Sequence, residues 1–150
     1  MSASTLVNQM ISANPLHDQR IIDSCFHLLT TPGLRKAGWL FAMVAVYGKN
    51  PEDLKGFTWN DDNTIIIKSK KRPVRPLHPE WVSLFQLKEK QPSKLESRWS
   101  EISNVLNEAI EKNVVNLTIP NLLIAYKMRK LVYAPVNKPL HSACPAFSVL

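Results

Sequence analysis

The sequence has few cysteines, few glycines and no apolar run of membrane-spanning length. Of its 150 residues, two are cysteine and four are glycine. Neither Cys25 nor Cys144 lies near a second cysteine or in a zinc-binding spacing, which argues against a disulfide framework and a zinc module. The longest apolar run, Trp39 to Tyr47, is about half the length that crosses a bilayer. We therefore expect one soluble domain with reduced thiols.

The motifs of many enzyme sites are also missing. The sequence contains no glycine-rich phosphate loop, no paired carboxylates, no Ser/His/Asp set and no metal-binding cluster. Met1 to Pro15 lacks a basic start followed by an apolar stretch, so a secretory signal is not indicated. These absences predict a cytoplasmic protein without a cofactor, a bound metal or a membrane partner.

Positive charge and proline are what the sequence has in excess. Nineteen Lys and Arg residues against twelve Asp and Glu residues give a formal net charge of +7. This balance favours polyanionic partners such as nucleic acid or anionic lipid, although a solvated basic surface also explains it. Eleven prolines divide the chain into short elements.

The apolar periodicity predicts a mostly helical α+β domain around one small antiparallel β-hairpin. The hairpin joins Thr64–Ile67 to Val74–Leu77, and prolines confine the second strand to an edge or an irregular pairing. We expect a flexible lead-in over residues 1–15, a folded domain over 16–134 and a poorly ordered tail over 135–150. Strands and helices do not alternate, which disfavours a doubly wound nucleotide-binding fold. The predicted helices are Leu16–Leu29, Lys36–Tyr47, a short helix from Pro51, Pro79–Lys88, Glu96–Val114 and Ile119–Tyr133.

The densest charge lies at the predicted hairpin turn, where Lys68 to Arg75 carries five cations and no acid in eight residues. Cations crowded on one turn repel each other unless an anion lies nearby, so the pattern favours a phosphate-binding finger over a solubilising turn. If the patch neutralised about four phosphates, the log-log salt slope of DNA binding would be roughly −3.6. Three cations on the last predicted helix either flank DNA or face water. The predicted DNA-binding residues are Lys68, Lys70, Lys71, Arg72, Arg75, Lys127, Arg129 and Lys130.

The stretch from Val46 to Trp59 resembles the first catalytic box of the tyrosine recombinases, or phage-type integrases. That box reads Gly-x-Arg-x-x-Glu-Leu and then a Trp before a hairpin, where this chain has Gly-Lys-Asn-Pro-Glu-Asp-Leu from Gly48. Asn63 to Pro79 is similar to the family's hairpin, with an apolar strand, a Ser-Lys turn, basic residues and Pro-Leu-His-Pro. The likeness covers residues 16–129. It implies the fold of a recombinase catalytic domain, double-stranded DNA as a partner, and a role in DNA recombination or integration.

A competing register begins at Pro32, because Pro-Gly-Leu-Arg also contains the Gly-x-Arg core. Gly38 stands where an acid is needed three residues after Arg35, and an apolar helix follows in place of the Trp and hairpin. We therefore prefer the register that begins at Gly48.

The catalytic positions that the resemblance implies are mostly altered. Asn50 stands at the first arginine and Asp53 at the supporting glutamate. A neutral amide cannot replace a guanidinium that clamps a phosphate bidentately. Aligning residues 121–126 with the second box places Leu123 at its arginine and Ile124 at its histidine, where apolar side chains neither hold a phosphate nor move a proton.

Lys70 is the one catalytic position that is filled. It aligns with the hairpin lysine that acts in the family as a general acid, although it is also simply one cation among five. Leu140-His141-Ser142 resembles the Gly-His-Ser box only faintly, and no tyrosine follows Tyr133 as the nucleophile. The resemblance therefore implies an inactive relative rather than an enzyme.

Three functional hypotheses follow. The first is an inactive integrase-like protein that binds duplex DNA weakly, with salt sensitivity and little sequence preference, since few residues precede the first helix and the family's DNA-clamping domain is missing. The second is a protein-interaction or regulatory module that docks on an intact recombinase or another partner. The third is a fragment of a decayed integrase gene. The tryptophans, Trp39, Trp59, Trp81 and Trp99, are expected to pack in the core rather than to stack on bases.

Overall fold

The computed structural model describes the backbone of residues 14–143 and the side chains of residues 18–131. In this part of the chain, five α-helices are combined with a three-stranded antiparallel sheet, which confirms the predicted mostly helical α+β class. The elements are α1 (Asn14–Thr30), α2 (Arg35–Tyr47), a 3₁₀ helix (Pro51–Lys55), β1 (Phe57–Trp59), β2 (Ile65–Ile67), β3 (Pro73–Val74), α3 (Pro79–Leu84), α4 (Trp99–Glu111) and α5 (Ile119–Ala143).

The α2 helix lies at the centre of the core. Every residue from Ala37 to Tyr47 is buried, and the helix packs against α1, α4 and α5. A helix that is apolar on all sides has to be covered on all sides, and each large apolar side chain that it buries contributes about 1.5–3 kcal/mol. Gly38 allows the close approach of α1, because a Cβ there would lie 2.8 Å from the backbone nitrogen of Leu29.

The sheet has the order β1-β2-β3, and both pairings are antiparallel. Ile65 at the start of β2 pairs with Trp59 on one side and with Val74 on the other. The predicted hairpin is therefore present, and Pro73 lies on an edge strand as expected. The predicted return strand to Leu77 is too long, because the Leu77 N–H donates to the carbonyl of Val46 in α2 instead of to the sheet.

Strand β1 was not predicted, so the sheet is larger than the expected two-stranded hairpin. Phe57-Thr58-Trp59 is too short to show a period of two, and only its pairing with β2 defines it as a strand. The turn that joins the two strands is closed by Asp62, whose carboxylate accepts hydrogen bonds from the Thr64 hydroxyl at 2.6 Å and the Thr64 N–H at 3.1 Å. These bonds lower the pKa of Asp62.

The helix ends differ from the predicted ones at several points. The α3 helix ends at Leu84 rather than Lys88, and Gln86 adopts a left-handed conformation with φ of 53° just beyond it. The α4 helix spans Trp99–Glu111, inside the predicted range. The α5 helix is described to Ala143, ten residues beyond the predicted end at Tyr133. The boundaries of the folded domain stay a prediction.

The tryptophans pack as the sequence predicts. Trp39, Trp81 and Trp99 are buried, and Trp59 packs against the core while partly exposed. The indole N–H groups of Trp39, Trp59 and Trp99 donate to acceptors within the protein, such as the Leu87 carbonyl for Trp39 at 2.9 Å. Within the described residues, no helix combines the length and apolarity needed to span a membrane.

Candidate nucleic-acid interface

The β2–β3 turn presents its basic residues to solvent through a tight backbone arrangement. The carbonyl of Ile67 accepts the N–H of Lys70 at 2.9 Å and the N–H of Lys71 at 3.1 Å. Lys71 adopts a left-handed conformation with φ of 59°, which a non-glycine residue tolerates only where the surrounding turn fixes it. Backbone hydrogen bonds therefore hold Lys70 and Lys71 in an exposed turn.

A groove lies between this hairpin, the end of α2 and helix α5. We name it the basic groove; its volume is about 760 Å³. No acidic residue is among the described residues that line it. Its cations come from three separate segments of the chain, and they are Lys49, Lys70, Arg72, Arg75 and Lys130.

Two tertiary contacts fix the walls of the basic groove. The Leu77 N–H donates to the Val46 carbonyl at 3.0 Å, which ties the segment after β3 to the end of α2. On the opposite wall, the ring of Tyr126 packs directly on Gly48, which has φ of 63° and closes α2 as a left-handed cap. Since both walls attach to the same end of α2, the hairpin and α5 are held at a fixed separation.

Tyr126 is the aromatic residue of the groove. It is half-buried, and burial raises its pKa above the usual value, so its hydroxyl stays protonated at neutral pH. The Lys130 ammonium lies 6.0 Å from the centre of its ring, at the limit of a cation–π contact. The neutral hydroxyl is suited to donating a hydrogen bond to a phosphate oxygen, not to acting as an anionic nucleophile.

Behind the groove lies a second charged group, which we name the ionic cluster and which consists of Asp18, His78, Glu80 and Arg129. Arg129 Nη2 lies 2.7 Å from Asp18 Oδ2, and both side chains are less than a fifth exposed. His78 Nε2 lies 3.7 Å from Asp18 Oδ1, and Nδ1 lies 3.6 Å from Glu80 Oε1. The cluster thus connects α1, the start of α3 and α5.

His78 itself is buried, and its ring stacks on Trp81 with centroids 4.1 Å apart. Burial lowers the pKa of His78, an effect that Arg129 reinforces and that Asp18 and Glu80 oppose. The ring is therefore neutral at physiological pH. It contributes packing and polarity at the point where three elements meet.

The structure brings together four of the eight predicted DNA-binding residues. Lys70, Arg72, Arg75 and Lys130 line the basic groove, whereas Lys71 and Lys127 are exposed outside it. Lys68 lies 3.1 Å from Glu96 in a solvent-exposed ion pair.

Arg129 is placed differently from the prediction. Its side chain points to Asp18 on α1 and not to the outer face of α5, because the ion pair with that carboxylate offsets the cost of its burial. We therefore leave Arg129 out of the proposed DNA surface.

None of the four altered catalytic positions lines the basic groove. Asn50 is exposed at the start of the 3₁₀ helix, and Asp53 is partly buried one turn later; neither lines the basic groove. Leu123 packs against the core. Ile124 is exposed and lines a different groove, since two positions on a helix separate it by about 200° from Tyr126. The side chains of Leu140, His141 and Ser142 lie outside the described ones.

Two residues of the groove were missed from the sequence. Neither Lys49 nor Tyr126 is among the residues that the sequence predicts to bind DNA. The sequence signal for Lys49 is the glycine at position 48, because a left-handed glycine cap ends the helix and changes the direction of the residue that follows it. No local pattern marks Tyr126 as a groove residue.

Comparison with known proteins gives a partial match. Part of this chain is similar to Excisase C. That protein, from Nostoc sp. (strain PCC 7120 / SAG 25.82 / UTEX 2576), is 34% identical over 82 residues, which cover 46% of this chain and 16% of Excisase C. The chain thus matches only a small part of the length of this relative. No protein-family model matches the chain, and no solved structure matches it significantly.

Proposed function

We propose that this chain binds duplex DNA through the basic groove as a catalytically inactive relative of the tyrosine recombinases. The observation that carries the proposal is the convergence of five cations from three segments on one groove without a described acid among its lining residues. Their mutual repulsion is relieved when phosphates enter the groove. Lysine and arginine side chains so arranged neutralise phosphates and release counterions, which is the main source of non-specific DNA affinity.

The form of the groove and the partial relative support this choice of polyanion. Tyr126 adds a hydroxyl donor to the cations of the groove, as is common among protein contacts with phosphate oxygens. The similarity to Excisase C, a protein whose name denotes excision, supports a role related to DNA recombination.

Inactivity is proposed from the residues at the catalytic positions. Asn50 offers no guanidinium, and Leu123 and Ile124 offer no group that binds a phosphate or transfers a proton. Loss of one anion-stabilising contact alone costs about 10²–10³ in rate. Lys70 remains in the groove as a phosphate ligand, without the partners that a strand-transfer reaction requires.

The DNA-binding proposal is tested by fluorescence anisotropy with a labelled duplex over a series of salt concentrations. We expect the logarithm of affinity to fall linearly with the logarithm of salt concentration, with a slope of about −3.6 if four phosphates are neutralised. The double variant Lys70→Glu with Arg72→Glu places two acids in the groove and should lose most of the affinity.

The matched control is Lys36→Glu with Lys90→Glu, which makes the same change in net charge at exposed positions outside the groove. This control should bind DNA nearly as well as the parent. Equal weakening by both double variants would show that overall charge, not the groove, binds DNA and would overturn the proposal.

Inactivity is tested separately with suicide substrates that trap a covalent protein–DNA intermediate. We expect no adduct on a denaturing gel with any such substrate. An adduct would refute inactivity while leaving the DNA-binding proposal standing, because the anisotropy experiment measures affinity alone.

A further inference from the structure

A second groove, with apolar walls, lies on another side of α5. It has a volume of about 240 Å³. We name it the apolar groove; its apolar lining consists of Ile21, Leu117, Leu122, Ile124, Ala125 and Met128. None of these residues lines the basic groove.

The apolar groove continues into exposed side chains along α5. Ile124 is 51% exposed and Leu131 is 66% exposed. With Met128 between them, the spacing of four and then three residues places all three on one side of the helix. Clustered exposed apolar residues of this kind mark a surface that contacts another molecule.

The polar side chains that line the apolar groove are cationic or neutral, although Asp23 lies beside Arg20 in an adjoining groove. Arg20 lines the apolar groove from α1 and is exposed, and Lys127 is exposed next to the stripe on α5. Within the described residues, neither forms an ion pair with a carboxylate. Asn116 and Asn121 complete the polar lining. The face therefore combines apolar contacts with unmatched positive charge.

Size and charge limit what this face accommodates. Small-molecule sites usually have about 300–1,000 Å³, so the groove is smaller than a typical ligand pocket, and the exposed stripe extends beyond it to Leu131. DNA gains little from apolar walls. A second copy of a chain with net charge +7 would bring Arg20 and Lys127 near their own equivalents.

We propose that the apolar groove and the stripe on α5 dock an amphipathic helix of another protein whose apolar residues recur at i, i+4 and i+7 and whose flanks are acidic. Its apolar residues pack on Ile124, Met128 and Leu131, and its carboxylates pair with Arg20 and Lys127. This is the helix-in-groove mode of recognition, in which spaced apolar anchors give affinity and the flanking charge selects the partner. The proposal does not depend on DNA binding by the basic groove.

The test uses two synthetic helical peptides that share leucines at i, i+4 and i+7 but carry glutamates or lysines on their flanks. Binding to the full chain is followed by backbone amide NMR shifts and by anisotropy. We expect the glutamate peptide to bind and to shift amides around Ile124 and Arg20. Arg20→Glu should weaken its binding about tenfold, equivalent to 1.4 kcal/mol, and should favour the lysine peptide.

The remaining variants change residues whose side chains are exposed. Ile124→Glu should abolish peptide binding, with Ile124→Ser as a second variant if the charge disturbs folding. The control is Leu84→Glu, which alters an apolar residue of α3 that is 44% exposed and outside the groove; it should bind as the parent does.

Four results would overturn the proposal. Equal binding of both peptides would contradict the preference for an acidic partner. Binding of neither peptide would contradict the docking of a helix on this face. Concentration-dependent self-association that is lost in Ile124→Glu would assign the face to a second copy of the chain. Loss of DNA affinity in Ile124→Glu, with no effect on peptide binding, would assign the face to DNA.

Discussion

Gly48 and Tyr126 are in direct contact, and the tyrosine ring fills the space that a side chain at position 48 would occupy. Gly48 also has a positive φ of 63° and donates its N–H to the Val44 carbonyl at 2.8 Å. Two independent constraints therefore require glycine there. Together they bring α5 against the end of α2 and fix one wall of the basic groove.

Replacement of Gly48 by alanine should destabilise the protein strongly. We expect a loss of about 2–5 kcal/mol, the sum of about 1–2 for a left-handed alanine and about 1–3 for overpacking against Tyr126. Urea denaturation measures the change. The control is Gly33→Ala, which has a φ of 84° but would place its Cβ with nothing within 4 Å. If both variants lose the same stability, the Tyr126 contact contributes nothing.

Removal of the carboxylate from the ionic cluster should also destabilise the fold. Asp18→Asn replaces the carboxylate that lies 2.7 Å from Arg129 Nη2 in a largely buried ion pair, at an expected cost of about 1–3 kcal/mol. Asp23→Asn is the control on the same helix, because Asp23 is near the surface and accepts only the Gln19 amide among the described contacts; it should change stability by less than about 0.5 kcal/mol. Shifts of similar size in the denaturation midpoints of both variants would contradict a structural role of the Asp18–Arg129 pair.

Stability should decrease on mild acidification because of His78. Burial lowers its pKa in the folded protein below the ordinary 6.5, so the unfolded chain binds the proton more readily. The contribution of His78 is therefore complete above about pH 6.5 and is lost as the pH falls through the lower folded-state pKa. The charges of Asp18, Glu80 and Arg129, which face the ring, determine how far the pKa of His78 is lowered. Thermal denaturation between pH 7.5 and 5.5 should show the decrease, and His78→Gln should reduce it; an unchanged pH dependence in that variant would assign the effect to other groups.

Lysines on the same hairpin should differ in their contribution to DNA binding. Lys70→Ala removes a cation that lines the basic groove and should reduce the salt slope by about 0.9, the value for one phosphate. Lys68→Ala removes a cation that lies 3.1 Å from Glu96 and should change the slope little. Lys49→Ala should resemble Lys70→Ala. Similar slopes for the Lys68 and Lys70 variants would show that the turn as a whole, and not the groove, contacts DNA.

The sequence predicts the helices well because their signal is local. The apolar residues of α2 and α4 and the helix ends near Gly33 and Gly48 are visible within short stretches of sequence, so they can be predicted without reference to distant residues. Strand β1 has no such signal, since Phe57–Trp59 is a strand only through its pairing with Ile65–Ile67. The continuation of α5 to Ala143 is contrary to the prolines within it, which locally favour an end.

The candidate site could be predicted only in part for the same reason. The hairpin cations are adjacent in sequence, so their density was visible at once. The contribution of Lys49 depends on how α2 ends, and that of Lys130 depends on how α5 approaches it. Arg129 shows the opposite case: it has the same charge and the same helix as Lys130, but Asp18 from α1 holds it away from the surface. Which cation faces outward is decided by tertiary contacts that composition does not encode.

The segment after β3 is fastened to the central helix by main-chain atoms, through the Leu77 N–H and the Val46 carbonyl. Any residue other than proline can supply that N–H, so the anchoring survives substitution at position 77. Side chains along this segment can therefore be exchanged, by natural variation or in a library, while the backbone keeps its position. New binding preferences can arise there without a redesign of the scaffold.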